Sequence, residues 1–147
     1  DTREQQPLKF KKSEEMKLDF GDYTSMGEHY TNTYVDRKSE TDFKSTLSTG
    51  FDRFTREIQR AKDFDSYLYI VVESSIAKIK KNNVFCPHRS NLRYIWHNMR
   101  VLSHMFPRVC QFVFSGNRKN SEKVIPRLLS IGKPLWNVDI QYYLDKK

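Results

Sequence analysis

The sequence predicts an α/β fold, with a central mixed β-sheet flanked by helices, and three observations lead there. Short runs rich in β-branched and aromatic residues alternate with longer stretches whose apolar residues recur every three or four positions. One of those runs, Tyr67–Glu73, is apolar up to its terminal acid, the composition of a central strand covered on both faces. At 147 residues, of which 14% are aromatic, the chain is one domain in size and carries enough bulky side chains to fill a core.

In chain order, residues 5–17 mix Pro7, Leu8 and Phe10 with Lys9, Lys11 and Lys12, and read as a loop with room for one short helix. A first strand is expected over 18–24, turn residues follow at Ser25-Met26-Gly27-Glu28, and a second strand is expected over 33–38. Ser39 and Asp42 form an S-x-x-D cap before Phe43, Leu47, Phe51, Phe54 and Ile58, which share one helix face. Gly50 divides that stretch into two helices, and Arg53, Arg56, Arg60 and Lys62 line its outer side. The third strand is 67–73. A short helix over 74–81 and a loop over 82–89 come next, and Ser90 then caps a helix with Leu92, Ile95, Trp96, Met99 and Leu102 inward, closed by Pro107. A fourth strand is expected over 109–114. The last helix opens at Asn120 or Ser121 and runs to Leu129, with Pro126 limiting its regularity and Gly132 and Pro134 as stops. The closing Trp136, Val138, Ile140 and Tyr142 are apolar enough to pack on the core or on a second subunit.

Twenty-six Lys and Arg against eighteen Asp and Glu give a formal charge of +8, which suits a polyanionic partner such as nucleic acid. No apolar run approaches the length of a membrane-spanning helix and no signal-peptide pattern opens the chain, so the expectation is an intracellular protein with no membrane partner. Cys86 and Cys110 read as reduced thiols, and together with His88, His97 and His104 they match no familiar zinc spacing.

The chemistry is concentrated in Gly21-Asp22-Tyr23 and Val35-Asp36-Arg37-Lys38. Residues two apart share a strand face, so Asp36 and Lys38 point one way and Arg37 the other. If the first two strands pair as a hairpin, Asp22 lies beside Asp36. Two adjacent carboxylates stay ionised together most readily around a divalent cation, and hard oxygen donors with no nearby cysteine favour magnesium or manganese. Lys38 is then placed to orient or activate a water and to neutralise charge developing on a phosphate.

The resemblance extends beyond that hairpin. Asp1-Thr2-Arg3-Glu4, Gly21-Asp22-Tyr23, Asp36-Arg37-Lys38 with Asp42 four residues on, and Tyr69-Ile70-Val71-Val72-Glu73 occur in the order of the D-x-R-E, G-D-Y, E-R-K-x-x-x-D and strand-Glu signatures of the XPF-type nuclease domain, a branch of the PD-(D/E)-x-K nucleases. The Gln5-Gln6-Pro7-Leu8 and Phe51–Glu57 segments look closer to bacterial and phage members.

The resemblance implies a restriction-endonuclease-like core and a magnesium- or manganese-dependent endonuclease acting on DNA. It implies a preference for branched, flap or junction substrates in repair, recombination or replication, and pairing into a homodimer or heterodimer through this domain. Carried over residue by residue, the catalytic set is Asp22, Asp36, Lys38, Arg37 and Asp42. The metal set is Asp22 and Asp36, with Asp1, Glu4 and Glu73 as further acids, and the nucleic-acid contacts are Arg3, Arg37, Arg53 and Arg56. Position 36 is Asp where the family usually has Glu, a shorter side chain that draws a metal closer to the backbone. The strand that normally precedes D-x-R-E is missing ahead of Asp1, so residues 1–147 are expected to form a single nuclease domain lacking its first strand or excised from a longer chain. A non-catalytic DNA-binding or scaffold subunit is the alternative, against which the intact Asp22, Asp36 and Lys38 count.

Overall fold

The computed structural model describes residue 18 and residues 20–146. Four strands, β1 (Tyr23–Thr24), β2 (Thr33–Lys38), β3 (Tyr67–Val72) and β4 (Cys110–Phe114), form one sheet in that order. β1 runs antiparallel to β2, and β2, β3 and β4 are mutually parallel. Parallel neighbours need long crossovers. α1 (Glu40–Thr46) and α2 (Phe51–Asp63) supply the first, α3 (Ile76–Phe85) and α4 (Leu92–Met105) the second, while α5 (Arg118–Ile131) and α6 (Ile140–Asp145) follow β4.

Every residue of β3 is buried, as its unbroken apolar run requires. Strand alternation divides its side chains between two cores. Leu68, Ile70 and Val72 pack with Phe43, Leu47, Phe54, Ile58, Ile79, Ile95 and Leu102 of α1 to α4. Tyr67, Tyr69 and Val71 pack with Val35, Ile125, Leu128, Leu129 and Ile140 on the opposite face. Both layers are thus fixed by one strand.

Ser39 caps α1 by accepting from the Asp42 amide, and Gly50 separates α1 from α2. Three helix boundaries differ from the sequence expectation, and at two of them, the starts of α4 and α5, a side-chain amide supplies the cap. α3 continues through 82–85, and Asn83 then clasps both the N–H and the carbonyl of Ser90, which closes the turn ahead of α4. Asn91 rather than Ser90 caps α4, and Asn117 starts α5 ahead of Asn120. α5 runs through Pro126 and stops at Gly132, whose φ is +69°.

The C-terminal segment joins the second core. Trp136 stacks on Tyr67 with ring centroids 5.2 Å apart and donates to Thr33 Oγ1. α6, not expected from the sequence, lies along β4, where Gln141 accepts from the Phe114 N–H and donates to its carbonyl. Gln111 likewise bonds Val138 and Ile140, so β4 is covered where an edge strand would otherwise offer free backbone groups. Tyr142 is exposed.

The strand expected over 18–24 is reduced to Tyr23–Thr24. Gly21 has φ +72°, outside the extended region, and the chain bends there so that Phe20 is buried against the Tyr34 ring. A Cβ on Gly21 would stand 3.2 Å from both Leu68 Cδ1 and the Val35 carbonyl oxygen. Gly21→Ala is therefore expected to destabilise the fold by about 1–3 kcal/mol. Urea denaturation checks this, and an unchanged midpoint would refute the assigned strain.

Candidate active site

β1–β2 pairing sets the site. Tyr23 faces Val35 in the antiparallel register, which carries Asp22 opposite Asp36 one step further along. The Asp22 amide donates to the Val35 carbonyl at 2.7 Å, and the Asp22 carboxylate accepts from the Arg37 amide at 2.8 Å. The glycine bend thus delivers Asp22 with both its backbone and its side chain tied to β2.

Asp36 and Lys38 face the α1 to α4 layer, and Lys38 Nζ lies 3.3 Å from Asp36 Oδ2. Phe54 of α2 places its ring 5.3 Å from the same ammonium. Asp36 is only 4% exposed, and its Oδ2, although in ionic contact with Lys38, meets no hydrogen-bond donor in proper geometry among the described residues. Burial pushes the Asp36 pKa up to about 6, and the negative charge of Glu57 acts in the same direction, while Lys38 and a hydrogen bond with Asp22 pull it back. At Lys38 burial also disfavours the charge, but Asp36, Glu57 and Asp22 together outweigh it, so its pKa lies above the ordinary lysine value. In the metal-free protein Lys38 is a cation.

Glu57 belongs to this environment too, outside the catalytic, metal and nucleic-acid sets that the sequence implies. Its signal was present in the helix pattern, one position before Ile58 and three after Phe54, next to the inward stripe of α2.

Arg37 and Glu73 lie elsewhere. Arg37 alternates to the other face of β2, and its Nε donates to Glu73 Oε1 just beyond β3, with both side chains 12% exposed. The Glu73 amide also bonds the Lys38 carbonyl, so this pair locks the ends of β2 and β3 together behind Asp36 and Lys38. Asp42 is exposed in the first turn of α1, its amide held by Ser39. Arg53 and Arg56 are exposed on the outer face of α2. Asp1, Arg3 and Glu4 lie outside the described residues. Glu40 binds Asn82 with both carboxylate oxygens and accepts from Ser74, joining α1 to α3 above the strand ends.

Among the described residues no three His, Cys, Asp or Glu side chains converge tightly enough to hold a metal ion by themselves. Both cysteines are free thiols, and Cys86 donates to the His88 carbonyl. No helix among the described residues is long and apolar enough to cross a membrane.

No protein-family model matches the sequence, and no curated protein sequence is similar to it. Among solved structures the chain is similar to XPF from Aeropyrum pernix in complex with DNA, with a TM-score of 0.56 and 22% identity over 78% of this chain and 50% of that one. A second structure of XPF from Aeropyrum pernix gives a TM-score of 0.55 and 20% identity over 86% of this chain and 55% of that one. The chain therefore spans about half the length of the proteins it matches, and the shared feature is the α/β fold of a mixed four-stranded sheet flanked by helices.

Two stability predictions follow from the opposed faces of β2. A raised carboxyl pKa means that the folded protein holds a proton the unfolded chain gives up. The stabilisation is full below about pH 4 and is lost as pH rises through about 6. In the metal-free protein at pH 8, Asp36→Asn is expected to raise stability by ~2–3 kcal/mol, with the gain vanishing near pH 4; denaturant titrations at both pH values check it, and a pH-independent effect would contradict it. Across the sheet, Glu73→Ala leaves the Arg37 charge buried without this partner and is expected to cost ~3–5 kcal/mol. The double variant Arg37→Met/Glu73→Leu should recover most of that loss in the same measurement.

Proposed function

We propose that this domain is a divalent-metal-dependent DNA endonuclease that hydrolyses phosphodiester bonds, with branched, flap or junction DNA as its substrate class. The observation that carries the reading is the placement of Asp36, a buried carboxylate, between Asp22 and the charged Lys38 at the end of β2. Its fold, shared with a protein solved in complex with DNA, and the basic surface support the polyanionic substrate.

The side chains fit magnesium or manganese. The donors are hard carboxylate oxygens, and Asp36 Oδ2 is buried with a lone pair that no hydrogen bond uses among the described residues. Asp22 and Asp36 would hold the ion, with Asp1 and Glu4 as further candidate acids. When bound, the cation supplies Lewis-acid charge that offsets the negative charge gathered on the attacked phosphate.

Lys38 is fixed by Asp36 on one side and the Phe54 ring on the other, which confines its ammonium without a large further loss of freedom on binding. As a cation it donates hydrogen bonds. Its role is to orient the attacking water and to stabilise charge on the non-bridging phosphate oxygens, rather than to remove a proton in the resting protein. Arg53 and Arg56 on the outer face of α2 would contact the DNA backbone, binding by counterion release and without regard to base sequence. Arg37 acts through Glu73, holding β2 and β3 in register so that Asp36 and Lys38 keep their separation.

Cleavage of labelled single-stranded, duplex, flap and four-way-junction DNA tests this reading. With magnesium or manganese the wild-type protein should cut at least one substrate, and Asp36→Asn and Lys38→Ala should each lose ~10²–10³-fold or more in rate while retaining DNA binding. DNA binding without cutting, equal in all three proteins, would replace the nuclease with a non-catalytic DNA-binding subunit.

A further inference from the structure

Helix α2 places a half-buried acid where its packing pattern has no need of one. Phe54, Ile58 and Ala61 form its inward stripe against the sheet, and Glu57 sits at the margin of that stripe, between Phe54 and Ile58. Its Oε2 is buried and accepts no hydrogen bond among the described residues, as is also true of Asp36 Oδ2. Buried carboxylate oxygens without hydrogen-bond donors are costly, and two of them in one neighbourhood mark a place where a donor is missing.

The three side chains share one neighbourhood. Phe54, three residues before Glu57 on the same helix, sets its ring 5.3 Å from Lys38 Nζ, which itself lies 3.3 Å from Asp36 Oδ2. Glu57 is nevertheless not part of a direct three-ligand cluster with Asp22 and Asp36. Magnesium and manganese resolve that distance naturally, because magnesium in particular takes only one or two carboxylates and keeps several of its waters.

We propose that Glu57 is a third acidic partner of the cation held by Asp22 and Asp36, accepting at Oε2 a hydrogen bond from the ion's hydration water. This rests on the cation site proposed above and extends it to α2. Helix α2 then has two roles, with Phe54 confining Lys38 from one position and Glu57 holding the ion's water from the next turn. Glu57 is a positioning residue, since it acts on the reaction through water and not through the substrate.

The test is calorimetric titration of Mn²⁺ into the full chain as wild type, Glu57→Met, Glu57→Gln and Asp36→Asn, with denaturant titration of each metal-free protein. Outer partners of a bound ion are worth about 10–100-fold in affinity. Glu57→Met is expected to weaken Mn²⁺ binding by about that factor, with metal-free stability equal to or above wild type because an unsatisfied buried carboxylate has been removed. Glu57→Gln, which keeps the shape and one acceptor oxygen, should show a smaller loss and serves as the test if the methionine variant does not fold. Unchanged Mn²⁺ affinity in both Glu57 variants, alongside a large loss in Asp36→Asn, would overturn the role of Glu57 and leave the cation site standing. Wild-type protein that binds no Mn²⁺, or binds it equally well with Asp36→Asn, would overturn the cation site itself and Glu57 with it. A fall in affinity matched by a fall in metal-free stability would make Glu57 a structural residue only.

Discussion

The arrangement depends on a carboxylate kept out of water. Asp36 occupies a strand position whose neighbours on the same face are Ile70 and Val72 and the apolar stripe of α2, and it is almost completely buried there. An acid in that setting is poorly solvated, and the single ammonium of Lys38 offsets only part of the cost, as its raised pKa records. That cost, stored at the end of the strand next to a second acid, is the physical basis on which the proposed cation site rests.

The same four residues, Val35 to Lys38, do two unrelated jobs because a strand turns alternate side chains to opposite faces. On one face Asp36 and Lys38 meet the α1 to α4 layer. On the other, Val35 enters the second core and Arg37 closes an ion pair with Glu73. The parallel β2–β3 register connects the two, since Lys38 lies opposite Val72 and its carbonyl accepts from the next amide, that of Glu73. A side chain behind the site therefore fixes the strand that carries it.

The protection of β4 extends this logic to the edge of the sheet. Gln111 and Gln141 spend both ends of their amides on backbone groups of the C-terminal segment and of β4, which ties α6 to the sheet by paired hydrogen bonds. With α5 and Trp136 they cover the face that Tyr67 and Tyr69 present. Both faces of β3 are then dry, so its six residues are all apolar and the sheet can hold a buried acid on the adjacent strand.

The α/β class, three of the four strands to within a residue or so, the two-helix break at Gly50 and the pairing of Asp22 with Asp36 and Lys38 were legible in the amino-acid order alone. Those features follow from local periodicity: a period of two places Asp36 and Lys38 on one face, and a period near 3.6 aligns Phe43, Leu47, Phe54 and Ile58. What lies opposite those faces was set by the folded arrangement. It shortened the first strand at Gly21, whose φ is positive and whose Cα lies so close to Leu68 and Val35 that a Cβ would press on both. It formed α6 from six residues too few to be stable alone, using Ile140 and the Gln141 contacts to β4. It paired Arg37 with Glu73 across 36 positions, and it brought Glu57 to Asp36 and Lys38 from a helix whose orientation no local pattern specifies. Charges far apart in the chain acquire their meaning from burial and from one another, and both are properties of the assembled fold.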